Sequence, residues 1–140
     1  MYVRRALELL RDSGHRITPP RKAVLEALDR ANRPLSPYEL QRLLEDQGRR
    51  LDHVTIYRTL ELLCAHNLAH RVTALGGFVR CSLDGEEACH RYTVCRRCGT
   101  FHEFADETLC EKEKEVVRSF GFHTEQHVAE SLGLCANCQD

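Results

Sequence analysis

An α+β fold in two unlike modules is predicted for this 140-residue chain by three observations. The charge changes sign along it, the cysteines crowd into its second part, and helical patterns give way to short strand patterns. Residues 1–80 carry 14 Lys/Arg against 9 Asp/Glu, a balance of +5, whereas residues 81–140 carry 6 against 12, a balance of -6. Only Cys64 precedes Cys81; the other seven cysteines lie from Cys81 onward. Between the halves, Ser82-Leu83-Asp84-Gly85-Glu86-Glu87 is polar and has no apolar period, which marks a join. These features predict a basic module over 1–82, a hinge over 83–88 and an acidic, cysteine-rich module over 89–140.

With 42% hydrophobic and 29% charged residues, the chain can bury a core. No stretch approaches the roughly 18 apolar residues of a membrane span, and Met1–Leu10 has no apolar run of the signal-peptide kind. A cytoplasmic protein without a membrane partner is the expectation. In a reducing compartment, paired cysteines more often hold metal than form disulfides.

The first module opens with a helix over about 3–13, where Val3, Ala6, Leu7 and Leu10 recur at helical spacing. Thr18-Pro19-Pro20-Arg21 reads as an N-cap with proline in the first turn, followed by the stripe Ala23, Val24, Ala27 and Leu28. Ser36-Pro37-Tyr38-Glu39 is a capping-box pattern opening a third helix with Leu40, Leu43 and Leu44 inward, ended at Gly48. Asp52 caps a fourth helix from His53 to about His66. Val54, Tyr57, Leu60 and Leu63 or Cys64 are spaced to face a core, and His53, Thr55, Arg58 and Thr59 lie on the other face. Leu68–Val72, a Gly76-Gly77 turn and Phe78–Cys81 predict a β-hairpin. Helices followed by a hairpin describe a winged helix-turn-helix, whose last helix presents N-terminal side chains to the DNA major groove. A basic module suits such a polyanion, because neutralised phosphates release counterions.

In the second module, Cys95-Arg96-Arg97-Cys98 and Cys135-Ala136-Asn137-Cys138 form two Cys-x-x-Cys pairs. Four thiolates close a tetrahedral structural zinc site. The 36 residues between Cys98 and Cys135 are too many for a zinc ribbon and require a strand–helix–strand element between the pairs. Thr100–Phe104 alternates as a strand, Glu107–Phe120 reads as a helix stopped at Gly121, and Phe122–Leu132 as a strand. The small α/β unit leaves strand edges that favour pairing with another copy, so a homodimer is expected. Cys81, Cys89, His90, His102, Glu103, Cys110, His123, His127 and His70 bracket the junction with donors of the kind zinc prefers.

Across essentially its whole length the sequence resembles the ferric uptake regulator family of bacterial metal-responsive repressors. The likeness rests on Gly14-His15-Arg16-Ile17-Thr18-Pro19-Pro20-Arg21, Val54-Thr55-Ile56-Tyr57-Arg58-Thr59-Leu60 and the two Cys-x-x-Cys pairs in order. It implies a DNA-binding winged helix, a dimerisation domain with a structural zinc on Cys95, Cys98, Cys135 and Cys138, and a regulatory metal at the hinge. By position it implies that Tyr57 and Arg58 read DNA beside Thr55, that Arg16 enters an A·T-rich minor groove, and that Arg21 contacts the backbone.

Departures from the family pattern point to the metal. Pro34 stands where iron and peroxide sensors usually carry a histidine, and Cys89-His90-Arg91-Tyr92 replaces their histidine run. His70 and Cys81, eleven residues apart, resemble instead the zinc uptake regulators. With His90 and Glu103 they make a Cys-His-His-Glu set suited to tetrahedral zinc, closed to chemistry. A further family site would fall on Cys89, Arg91, Cys110 and His127. Arg91 cannot bind metal, which leaves an altered site on Cys89, Cys110 and His127 with His123, a Cys89–Cys110 disulfide, or plain buried thiols.

The expected function is a zinc-responsive repressor that binds palindromic A/T-rich operator DNA as a dimer and controls zinc uptake genes, with no small-molecule substrate. The alternatives are an iron-, manganese- or peroxide-sensing regulator, a thiol redox switch or a zinc-dependent enzyme. A nucleoside deaminase would need His-x-Glu and Pro-Cys-x-x-Cys, but His102 and Glu103 are adjacent and Val94 precedes Cys95. No Gly-x-Ser-x-Gly or phosphate-cradling glycine loop is present either, so an enzyme is not expected.

Overall fold

A computed structural model describes residues 1–81, 89–125 and 127–139, which form two compact units, Met1–Ser82 and Leu83–Asp140. The expected hinge, 83–88, lies outside the described residues. In the first unit come α1 (Tyr2–Asp12), α2 (Pro19–Arg30), α3 (Pro37–Asp46), α4 (His53–Ala65), β1 (Ala69–Val72) and β2 (Gly77–Arg80). The second has β3 (His90–Cys95), β4 (Phe101–Phe104), α5 (Glu107–Arg118) and β5 (Val128–Gly133).

Local chemistry sets the helix starts of the first unit. The Thr18 hydroxyl accepts from the Arg21 N–H, and Asp52 accepts from the Thr55 N–H. Ser36 and Glu39 form a reciprocal capping box, each side chain accepting from the other's backbone N–H. The apolar faces of the four helices then close on one core, among them Leu10, Val24, Leu28, Leu40, Leu44, Ile56, Leu60 and Leu63, all fully buried. The Tyr2 hydroxyl crosses that core to donate to the Leu68 carbonyl at 2.6 Å.

β1 and β2 form the antiparallel wing, with His70 opposite Val79. Its second strand is tied to the start of α3 by paired backbone hydrogen bonds between Leu35 and Phe78. Gly77 is required there, because a Cβ would lie 2.8 Å from that of Pro34.

On α4 the inward stripe differs from the expected one. Ile56, Thr59, Leu60 and Leu63 are buried, whereas Val54 is 53% exposed and Tyr57 only half-buried. Burial of Thr59 is tolerated because its hydroxyl donates to the Thr55 carbonyl at 2.8 Å.

The second unit is a three-stranded sheet in the order β4-β3-β5, antiparallel between β3 and β4 and parallel between β3 and β5. α5 starts at the Asp106 cap and ends before Gly121, whose φ of +73° suits a helix stop. The last strand is shorter than expected: Phe122 lies outside it and is 61% exposed. The pairing partner explains the start, since β3 begins at His90 and meets Val128 there.

Candidate functional site

The parallel register of β3 and β5 builds the first candidate centre. Cys95 ends β3 opposite Gly133, the last residue of β5, so the Cys-x-x-Cys turns leaving the two strands emerge side by side. The Arg96 N–H donates to the Gly133 carbonyl, and the Gly99 N–H to the Cys95 carbonyl, which close the turn. One ligand atom from each of Cys95, Cys98, Cys135 and Cys138 lies within 4.8 Å of the others. Cys98 Sγ is 3.7 Å from Cys135 Sγ and 3.2 Å from the Thr100 hydroxyl.

The electrostatics of this cluster suit a soft cation. The N–H groups of Cys98 and Cys135 pull the Cys95 thiol down to about 5, and the Thr100 hydroxyl and N–H lower that of Cys98. The neighbouring Cys135 sulfur pushes Cys138 up to about 12, so the fourth thiolate resists forming beside the others. A divalent ion removes that repulsion, and four sulfurs with backbone N–H support are the donor set of a closed structural site. The residues fit a metal ion.

Other expected ligands lie on neighbouring strands. His90 starts β3, and its Nδ1 is 3.9 Å from Glu103 Oε2 on β4, with both side chains at about a tenth of full exposure. Tyr92, opposite Glu103 in register, donates its hydroxyl to the same oxygen at 2.7 Å and fixes the carboxylate. In the first unit, His70 is half-buried on β1 opposite Val79. Cys81, buried just beyond β2, donates its N–H to the Leu68 carbonyl. Because Cys81 is two residues beyond Val79, it shares the wing face of His70.

For the altered third site, the structure has the disulfide among the readings left open. Cys89 and Cys110 are bonded, which removes both sulfurs from the ligand set and ties the start of β3 to α5. His127 Nε2 meets Glu113 at 2.6 Å, and the buried Arg91 guanidinium pairs with the same carboxylate. His123 is exposed on the segment after α5. The hydrogen bond from Arg91, with the neighbouring His127, holds Glu113 below the usual carboxylate range. Here a fixed side-chain cation meets the carboxylate directly.

The residues expected to meet nucleic acid lie on the first unit. Arg16 is exposed just before α2, and its carbonyl accepts from Arg21 Nη1 at 2.6 Å, which links the two arginines. On α4, Thr55 is half-buried in the first turn, Tyr57 follows it and Arg58 is exposed. Sequence reasoning missed Tyr92, Thr100 and Glu113. Alternation along β3 puts Tyr92 on the face of His90, but the strand itself, buried on both faces, leaves no pattern in the sequence that would have found it.

The model of the ferric uptake regulator family matches residues 12–131. The ferric uptake regulation protein of Legionella pneumophila is 32% identical over 131 residues, covering 93% of this chain and 96% of that protein. The zinc uptake regulation protein of Escherichia coli K12 is 30% identical over 124 residues, covering 88% and 72%. Among solved structures, a zinc uptake regulator complexed with zinc and DNA matches with a TM-score of 0.87 and 28% identity, covering 97% of this chain and 91% of that one. The family model covers most of the chain and the similar proteins are regulators rather than enzymes, so the chain belongs to the ferric uptake regulator family.

Proposed function

We propose that this chain is a cytoplasmic, zinc-responsive repressor that binds palindromic A/T-rich operator DNA as a homodimer and controls zinc uptake genes. The observation that carries the reading is the donor set. One thiolate, two imidazoles and a carboxylate, from Cys81, His70, His90 and Glu103, suit tetrahedral zinc, with Glu103 already held by Tyr92. Likeness to a solved zinc uptake regulator complexed with zinc and DNA supports the same choice. Iron and manganese favour more oxygen and nitrogen donors and higher coordination numbers.

In this reading, Cys95, Cys98, Cys135 and Cys138 hold a structural zinc. His70, Cys81, His90 and Glu103 would hold the regulatory zinc, and four protein donors would leave it no open position for chemistry. His70 and Cys81 belong to the wing, and His90 and Glu103 to the sheet unit, so sharing one ion couples the DNA-reading unit to the dimer-forming one. Two recognition helices in a dimer must be spaced by about one DNA turn, or a multiple, to read a palindrome. A coupling of about 1–3 kcal/mol changes operator affinity roughly 5- to 150-fold, and operator DNA tightens regulatory zinc by the same factor. Thr55, Tyr57 and Arg58 are assigned to the major groove, Arg16 to the minor groove and Arg21 to the backbone. The exposed apolar side chains of α5 and β5, including Leu109, Val116, Val128 and Leu132, support a second copy as the partner.

The test is operator binding titrated against buffered Zn²⁺, Fe²⁺ and Mn²⁺, comparing the chain with Cys81→Ser. Zinc-specific tightening that Cys81→Ser removes is the expected result. A normal zinc response in Cys81→Ser overturns the sensing site, and a response to Fe²⁺ or Mn²⁺ alone overturns the choice of metal.

A further inference from the structure

We propose that His53 is a further specificity-determining residue, donating from Nε2 to a purine acceptor at one base pair of each operator half-site. The inference rests on the proposed DNA-binding reading and goes beyond its contact set.

His53 is the first residue of α4, and its ring lies on that of Tyr38 in α3, with centroids 4.4 Å apart and planes 25° from parallel. Tyr57 closes from another side at 6.0 Å, while Tyr38 itself is 68% exposed. The imidazole is thus held in one orientation by the two helices of the helix-turn-helix. Its Nδ1 is buried and has no hydrogen-bond partner among the described residues, whereas Nε2 is not sequestered in this way.

An unpaired buried donor costs more than an unpaired buried acceptor, so the neutral tautomer with its proton on Nε2 is favoured. His53 is then an oriented donor at the N-terminal end of the helix that presents side chains to base edges. Purine N7 and guanine O6 are the acceptors exposed in the major groove.

The test measures zinc-loaded full-length protein on an operator series in which each half-site base pair is varied in turn. His53→Phe retains a ring for Tyr38 to stack on and removes only the donor. Wild type should prefer one base pair at one position by about three- to tenfold, the size of a single hydrogen bond. His53→Phe should lose that preference while keeping its thermal midpoint, its rank order at other positions and its salt slope. His53→Gln, which keeps a donor, should retain part of it.

An unchanged preference in a folded His53→Phe overturns the inference and leaves the DNA-binding reading standing. So does an equal loss on every sequence, which marks a phosphate contact. If His53→Phe does not fold, a His53→Gln without any preference overturns it in the same way. Wild type that binds no DNA at any zinc level overturns both.

Discussion

Stripping the four-cysteine site should unfold one unit and spare the other. Beyond the Cys89–Cys110 disulfide, which contributes about 2–4 kcal/mol, the second unit has little core: Tyr92 and Val94 are its large buried apolar side chains among the described residues, and Cys110 is the buried residue of α5. Burying an apolar side chain contributes about 1.5–3 kcal/mol, whereas ordering each residue costs about 1–2 kcal/mol in backbone entropy alone. Structural zinc supplies about 10–16 kcal/mol in small metal-dependent folds, enough to decide the balance. The first unit instead contains the whole buried hydrophobic cluster, from Tyr2 to Phe78. Helices α1 to α4 hold 11, 12, 10 and 13 residues against the 12 of α5. Cys95→Ser, or exhaustive chelation of the wild type, should therefore leave about four-fifths of the helical circular dichroism. It should also abolish the dimer on gel filtration and make the chain beyond Cys81 sensitive to protease. Complete loss of helical signal, or a stable protease-resistant dimer, would refute the reasoning.

Leu60→Ala should lower stability by about 2–5 kcal/mol in denaturant titration, because the side chain is fully enclosed by the helical core. Ser36→Ala removes half of the capping box of α3 and should cost about 1 kcal/mol by the same assay. Gly77→Ala should loosen the wing, since the added methyl meets both the side chain and the backbone of Pro34; faster amide exchange at Leu35 and Phe78 would report it. Burial raises the Glu39 carboxyl, but Ser36 and Arg33 outweigh it and hold the folded pKa below the usual value. The stability this gives is full above the unfolded carboxylate pKa of about 4.3 and lost as pH falls through the folded value, so Glu39→Gln should flatten that part of the acid-unfolding curve.

How much was legible depends on how far each feature acts along the chain. The capped helices were readable because Thr18, Ser36 and Asp52 each satisfy a backbone donor three residues away. The α4 stripe was misjudged because Thr59 reads as polar until its bond to the Thr55 carbonyl is known. The central strand β3 escaped notice for a related reason. Buried on both faces at His90, Arg91, Tyr92, Val94 and Cys95, it shows no apolar alternation to detect. Cys-x-x-Cys spacing revealed four thiolates, but their meeting depends on a parallel pairing between strands more than thirty residues apart.

The residues around Arg91 show why ligand type alone could not decide which donors hold metal. Cys89, Cys110 and His127 are all competent ligands, and their chemistry left three outcomes open. The structure closes Cys89 on Cys110 and gives His127 and Arg91 to Glu113, a carboxylate that drew no attention in the sequence. A guanidinium brings a permanent positive charge to that carboxylate, so none need come from an ion. Glu103 instead accepts from the Tyr92 hydroxyl and lies 3.9 Å from His90 Nδ1. Pairing with Arg91 therefore takes Glu113 out of the candidate ligands, and the proposed sensing role stays with Glu103, which the donor set had already singled out.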